Sequence, residues 1–173
     1  MNKVIVEKNN GYAVVSLNRP DSMNALSREL RDDFVAALED CQADEAIRVL
    51  IITGKGKAFS AGFDLKELAA PESGTAAETA DNIIARAMEA FEGPIIGAIN
   101  GHAITGGFEL ALACDVIIAS EQARFADTHA RVGILAGWGL SQRLPRLIGL
   151  SRAKELSLTG RPLFAQEAYE WGL

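Results

Sequence analysis

Two short apolar stretches rich in Val and Ile open the chain, Val4 to Glu7 and Tyr12 to Leu17, separated by the turn-prone Asn9-Asn10-Gly11. Strands of this kind flanking such a turn predict a β-hairpin. Arg19-Pro20-Asp21 breaks the second strand. Leu30, Phe34, Val35 and Leu38 then recur at helical spacing behind Ser27, whose hydroxyl suits an N-cap. Arg48 to Thr53 is a continuous apolar run, the pattern of a strand covered on both faces. It empties into a glycine-bearing loop, Gly54 to Gly62. A second helix carries Ile83, Ile84, Ala87, Met88 and Phe91, and leads through Gly93-Pro94 to the strand Ile95 to Ile99 and a second glycine loop, Asn100 to Gly107. Phe108 to Cys114 predicts a short helix; Val116 to Ala119 and Arg124 to Ala126 predict strands. The remainder reads as mainly helical, with Ser151 capping a helix that ends near Gly160 and an amphipathic piece from Gln166 to Trp171. Ala69 to Ala80, small and polar with Pro71 and Gly74, reads as a mobile loop too short for a domain linker.

Strands alternating with helices predict an α/β fold with much of its sheet parallel, in one domain over residues 1–173. Trp171-Gly172-Leu173 resembles a helix C-cap after which a further strand is expected. With 173 residues, 49% of them apolar, the chain has the means to bury roughly 70% of its unfolded surface without a disulfide or metal staple. No run approaches the ~18 apolar residues of a membrane span, and the start lacks the apolar core of a signal peptide, so a cytoplasmic or organellar protein with no membrane partner is expected. Cys41 and Cys114 stand apart, as two reduced thiols would, and no structural metal is expected. The formal charge is −6, with 17 Lys and Arg against 23 Asp and Glu, which argues against nucleic acid as a partner.

Several familiar signatures fail. Gly54-Lys55 is followed by Gly56 rather than Ser or Thr, so the loop is no phosphate-cradling Walker motif. Phe59 stands where a dinucleotide fingerprint needs its third glycine. Ala58-Phe59-Ser60-Ala61-Gly62 is one residue short of a nucleophile elbow, which keeps a serine hydrolase using Ser60 with His102 or His129 as an alternative.

The two glycine loops remain. Each leaves a buried-type strand and is small enough for backbone N–H groups to approach a ligand, and two such groups make an oxyanion hole. The second loop also opens a helix, where unpaired N–H groups stabilise negative charge near Gly106. Glu109 lies three residues on, about 4.5 Å along the axis and on nearly the same face. Its neighbours Phe108, Leu110, Ala111, Leu112 and Ala113 are all apolar. A carboxylate buried there without a fixed positive partner has a raised pKa, which suits general acid or base work.

Ala58-Phe59-Ser60-Ala61-Gly62-Phe63-Asp64-Leu65-Lys66 and Asn100-Gly101-His102-Ala103-Ile104-Thr105-Gly106-Gly107-Phe108-Glu109-Leu110 resemble the two signature segments of the crotonase, or enoyl-CoA hydratase/isomerase, family. Asn18-Arg19-Pro20, Met23-Asn24-Ala25-Leu26, Cys114-Asp115 and Gly137 to Leu144 resemble further landmarks, so the likeness covers nearly the whole chain. It implies a crotonase-like (ClpP/crotonase) spiral of repeated ββα units, in which the Phe63 and Gly106 N–H groups hold the thioester oxygen of an acyl-CoA. Ala25, Leu26, Ala61, Asp64 and Leu65 are then expected along the CoA and pantetheine path. Lys55, Lys57 and Lys66 are candidates for CoA phosphates. Coenzyme A arrives as part of the substrate, with no separate cofactor.

By the same resemblance Glu109 matches the first catalytic glutamate of the hydratases, which activates water against the β-carbon. His129, in Asp127-Thr128-His129-Ala130-Arg131, falls where hydratases carry the second. An imidazole with an ordinary pKa near 6.5 is able to handle the α-proton. Asp127 reads as a displaced carboxylate or as a helix cap, and His102 as a residue shaping its loop. Thr105 departs from the small residue usual there and narrows the acyl channel. The expected reaction is hydration of a trans-2-enoyl-CoA to 3-hydroxyacyl-CoA; double-bond isomerisation and non-catalytic acyl-CoA binding are the alternatives. The resemblance also implies that the C-terminal helical part, through which the family builds homotrimers or dimers of trimers, lies beyond this sequence.

Overall fold

A computed structural model describes residues 2–69 and 82–173. Nearly all of the predicted mobile segment, Ala69 to Ala80, therefore lies outside the described residues. Strands β1 (Val4–Asn9) and β2 (Gly11–Leu17) form the expected antiparallel hairpin, with Val4 opposite Leu17 and Asn9 opposite Tyr12. Helix α1 (Arg28–Gln42) is capped by Ser27, whose hydroxyl accepts from the Leu30 N–H at 3.3 Å. Its buried stripe, Leu30, Phe34, Leu38 and Cys41, follows the period that predicted it. Strand β3 (Ile47–Gly54) runs parallel to β2, then parallel to β5 (Ile95–Ile99), which is parallel in turn to β7 (Val116–Ala119). Helix α3 (Ile83–Ala90) precedes β5, after the short helix α2 (Leu65–Leu68).

The glycine loops are shorter than the sequence suggested. Each contains a three-residue strand, β4 (Ala58–Ser60) in the first and β6 (His102–Ile104) in the second, and these pair in parallel with each other. β8 (Arg124–Ala126) adds parallel to β6, and β9 (Leu163–Phe164) closes that sheet antiparallel. Three residues are too few to display an alternating pattern, so the second sheet has no periodic signature. Among the described residues the architecture is thus two sheets, ordered β1-β2-β3-β5-β7 and β4-β6-β8-β9. Successive strands step from one sheet to the other, β3 to β4, β5 to β6 and β7 to β8, each pair leading to a helix. That is the spiral of ββα units.

Helix α4 (Gly106–Leu112) starts two residues before the predicted position, so both Gly106 and Gly107 belong to its first turn. The one-turn α5 (His129–Val132) follows β8, then α6 (Leu140–Ile148), α7 (Leu150–Thr159) and α8 (Ala165–Trp171). Ser151 does not cap α7. The cap is Gly149, whose φ of 86° turns the chain sharply from α6 into α7 and leaves Ser151 inside the helix. The core is one continuous cluster joining Val15, Leu17, Leu50 and Ile52 of the larger sheet to Phe34, Phe59, Phe108 and Phe125. Phe108 and Phe125 pack ring to ring at 5.2 Å, which seats α4 against β8.

Candidate active site

The first loop crosses the second at Gly62, which has no room for a side chain. Gly62 has φ +85°, and a Cβ on it would fall 2.8 Å from the Ile104 carbonyl oxygen and 2.9 Å from the Gly106 nitrogen. Only glycine permits that approach. The next residue, Phe63, forms a parallel bridge with Leu26 in which the Leu26 N–H donates to the Gly62 carbonyl at 2.8 Å, a bond that leaves the Phe63 amide out. A Cβ built on Gly106 would lie 3.6 Å from the Phe63 nitrogen. Gly106 is the first residue of α4, so its N–H has no partner within the helix. The structure therefore brings the two predicted oxyanion donors onto abutting segments.

Behind them a buried polar knot fixes the first loop. The Asn24 side chain accepts from the Arg19 N–H at 2.8 Å and donates to the carbonyls of Lys55 at 3.0 Å and Ala58 at 2.7 Å. The Ser60 hydroxyl donates to the Asn24 carbonyl and accepts from the Gly62 N–H. Ser60 is wholly buried, its hydroxyl is committed to the backbone, and no hydrogen bond joins it to His102 or His129 among the described residues, which speaks against the serine-hydrolase alternative. Asp64 caps α2 at Lys66 N and pairs with Arg19 at 3.0 Å. Of the other residues expected along the CoA path, Ala25 and Leu26 are buried, Ala61 is half-buried and Leu65 is exposed. Lys55, Lys57 and Lys66 are exposed, with Lys55 3.6 Å from Glu7.

Glu109 is 1% exposed, one helical turn beyond Gly106. Its Oε1 accepts from the backbone N–H groups of Trp138 at 2.7 Å and Leu140 at 3.2 Å. Its Oε2 lies 3.3 Å from Nε2 of His129. The carboxylate is thus buried as expected, but it does not lack a positive partner. On the far side of the ring, Nδ1 of His129 is 2.6 Å from Oδ1 of Asp127. Both ring nitrogens thus face carboxylate oxygens, which accept from whichever nitrogen carries a proton. Burial by itself lowers the pKa of His129, but hydrogen bonds to Asp127 and Glu109, with their charges, outweigh it and raise the value to about 9. Burial by itself raises Asp127, and the hydrogen bonds from His129 and the Ser157 hydroxyl reverse the sign and lower it.

His102 is half-buried on β6. Thr105 holds φ 53°, a left-handed conformation costly for a β-branched residue. Its hydroxyl contacts that of Thr128, tying the start of α4 to the residue before His129. Phe63 packs between Trp138, at 4.8 Å between ring centroids, and the guanidinium of the buried Arg31, at 5.3 Å. The amides of Trp138 and Leu140, which hold Glu109, were not foreseen. Gly137-Trp138-Gly139 was the available signal, since glycines on either side of a residue free the backbone to turn its N–H groups toward a buried acceptor.

A family model described as enoyl-CoA hydratase/isomerase matches residues 7–173. The chain belongs to that family. Among curated members, the probable peroxisomal enoyl-CoA hydratase 1 of Arabidopsis thaliana is 46% identical over 168 residues, covering 97% of this chain and 63% of the plant protein. The 2,3-dehydroadipyl-CoA hydratase of Escherichia coli is 40% identical over 174 residues, covering 100% of this chain and 68% of its own length. The crystal structure of an enoyl-CoA hydratase from Mycobacterium tuberculosis superposes with a TM-score of 0.86 at 50% identity, over 98% of this chain and 72% of that one. The enoyl-CoA hydratase/isomerase member described here spans about two thirds of the length of such curated relatives. Among the described residues no helix is long and apolar enough to cross a membrane, and no cluster of His, Cys, Asp and Glu is arranged to hold a metal ion.

Proposed function

We propose that the protein hydrates a trans-2-enoyl-CoA to the 3-hydroxyacyl-CoA. The observation that carries this reading is the buried Glu109 carboxylate, fixed by two backbone N–H groups one turn from the Gly106 amide and facing Nε2 of the His129 imidazole. The Phe63 and Gly106 N–H groups hold the thioester oxygen. Glu109 accepts a proton from water as the water oxygen bonds to the β-carbon. The C2=C3 electron pair moves toward the thioester, and the negative charge collects on the oxygen held by the two amides. Each such donor contributes about 3 kcal/mol to transition-state stabilisation in comparable sites. The enolate collapses as the α-carbon takes the Nε2 proton of His129. The cycle closes when protonated Glu109 returns its proton to the neutral imidazole. Histidine in place of the second glutamate is thereby compatible with hydration, because the pair carries the same number of protons before and after turnover.

Coenzyme A enters with the substrate, and the reading needs no further cofactor. Two buried free thiols support a reducing compartment such as the cytoplasm. A homotrimer or dimer of trimers belongs to the same reading, supported by exposed Val116, Ile118, Leu158 and Tyr169, which supply apolar surface for contact between copies. Light scattering of the purified protein measures that directly.

Incubation with crotonyl-CoA tests the reaction. Loss of the conjugated thioester absorbance with a product one water heavier, reduced on the order of 10²-fold or more in Glu109→Gln, is the expected result. Binding of the thioester without turnover would assign the fold a non-catalytic role. Turnover of a 3-enoyl-CoA to a product of unchanged mass would move the assignment to isomerisation.

A further inference from the structure

Asp127 has more to do than shape a turn. Its Oδ1 accepts from the His129 backbone N–H at 3.1 Å, the ordinary bond of an Asx turn, while the N-cap of α5 is Thr128. The same oxygen also meets Nδ1 of the His129 ring at 2.6 Å, which the turn does not require. Both residues are buried, Asp127 at 3% and His129 at 4% exposure, so the contact is shielded from water. We propose that Asp127 is a positioning residue that orients the His129 imidazole and holds a proton on Nδ1, presenting Nε2–H to the Glu109 side of the site.

The argument starts from the ring. Imidazole has two nitrogens, and a hydrogen bond at one decides which proton the other has to give. An anionic oxygen facing Nδ1 admits only the form with a proton there. Nε2 then faces Glu109 at 3.3 Å as the exchanging nitrogen, protonated before transfer to the α-carbon and free to receive a proton afterwards. Without Asp127 the ring can rotate about its side-chain bonds or adopt the opposite tautomer, with Nε2 carrying the only proton and little tendency to release it. The charged groups facing the ring are Asp127 beside it and Glu109 from α4, while the Ser157 hydroxyl of α7 acts on the Asp127 carboxylate. The backbone bond to His129 and the ring bond share one oxygen, so the ring is registered to the main chain at the start of α5.

This inference rests on the hydratase reading for its kinetic consequence but not for its spectroscopic one. Nitrogen-15 NMR of the His129 ring in the intact wild-type protein at pH 7 is expected to show both nitrogens protonated, with a strongly deshielded Nδ1–H. A neutral ring with bare Nδ1 would overturn the proposal, whether or not the protein turns over. In Asp127→Asn the amide competes as a donor to Nδ1, and the expected changes are a ring pKa below the wild-type value and loss of the deshielded proton. On the hydratase reading kcat falls on the order of 10²- to 10⁴-fold while KM for the enoyl-CoA stays within a few-fold. Wild-type ring resonances and kcat in a folded Asp127→Asn protein would reduce Asp127 to a turn-former. Should that variant fail to fold, the wild-type ring spectrum decides alone, a neutral ring with bare Nδ1 overturning the proposal and an Nδ1–H facing the carboxylate upholding it. Failure of wild-type turnover with the expected NMR signature would remove the hydratase reading and leave the positioning role of Asp127 intact.

Discussion

Nε2 of His129 stands 3.3 Å from Oε2 of Glu109, so the two residues that the sequence nominated for proton transfer face each other directly. Two carboxylates at that separation would repel and favour sharing one proton; an imidazolium instead attracts. The sign of the stability effect follows. The folded-state pKa of His129, about 9, is above the unbound value of 6.5. Its contribution is fully present below about pH 6.5 and is lost as pH rises through about 9, because the native state then no longer holds the extra proton. Asp127 has the opposite sense: its lowered pKa contributes above the ordinary carboxylate value of 3.8, and the contribution is lost as pH falls through the folded value. Urea midpoints are expected to fall from pH 6.5 to pH 9.5, with a visibly smaller fall in His129→Gln. On the proposed hydratase reading, activity should show an alkaline limb near pH 9 in both directions, since hydration and dehydration start from the same total proton count on the pair.

Gly62→Ala separates catalysis from folding. The new methyl group would meet the Ile104 carbonyl at 2.8 Å and the Gly106 nitrogen at 2.9 Å, and the residue would have to hold φ +85°. The loops carrying Phe63 and Gly106 must move apart, so the two N–H groups proposed to hold one oxygen no longer converge. A loss of roughly 10²-fold or more in kcat is expected, the scale for losing one donor. The circular dichroism of the variant should remain that of the wild type, since the cores of both sheets are untouched.

Cys114 is inert by the same reasoning that makes the site reactive. Its thiol is buried against the Leu110 carbonyl at 3.5 Å, and burial, aided by the Asp115 charge, pushes its pKa up to about 12. Cys41 is raised as well, again first by burial. A thiol this far from its thiolate does not attack a disulfide reagent at pH 8. Titration with such a reagent is expected to find neither cysteine in the native protein and both after denaturation. Rapid native labelling of Cys114 would show that the α4 to β7 connection opens readily.

Phe63 was named through the family resemblance alone, whereas the positions of Gly106 and Glu109 were legible in glycine spacing and helical period. The hairpin, α1 and the strands of the larger sheet were legible for the same reason. What the sequence withheld is carried by groups that all residues share. The N–H groups of Trp138 and Leu140 that hold Glu109 belong to the main chain, and their one mark in residue type is the glycine on either side of Trp138, which does not say what acceptor they meet. β4 and β6 gain their order from pairing with each other, a long-range event that three residues do not announce. His129 could be placed opposite a missing glutamate by resemblance, but its contact with Asp127 depends on side-chain direction at the start of a one-turn helix. Asn24, read only as part of a landmark, becomes a structural centre once the Arg19 turn and the 55–58 segment fold around it.

That centre yields a stability prediction. Asn24 is fully buried with φ 54°, a conformation that asparagine tolerates better than most residues. Replacement by Ala removes the acceptor for Arg19 N–H and the donors to the Lys55 and Ala58 carbonyls, and leaves a Cβ-bearing residue in the left-handed region. Ala58 keeps a longer bond from Asn100 at 3.3 Å, which softens part of the loss. A buried group left unpaired costs about 1–3 kcal/mol, so Asn24→Ala is expected to destabilise by about 3 kcal/mol. Thermal midpoints should drop by roughly 6–12 °C. Asn24→Gly isolates the hydrogen bonds, because glycine accepts the backbone angle freely. A Gly variant as stable as the wild type would mean that the side-chain bonds contribute nothing. Asn24→Asp should be worse than Ala, since it keeps the Arg19 bond but turns a carboxylate oxygen toward two carbonyl oxygens, and lowering the pH to protonate it should restore part of the stability.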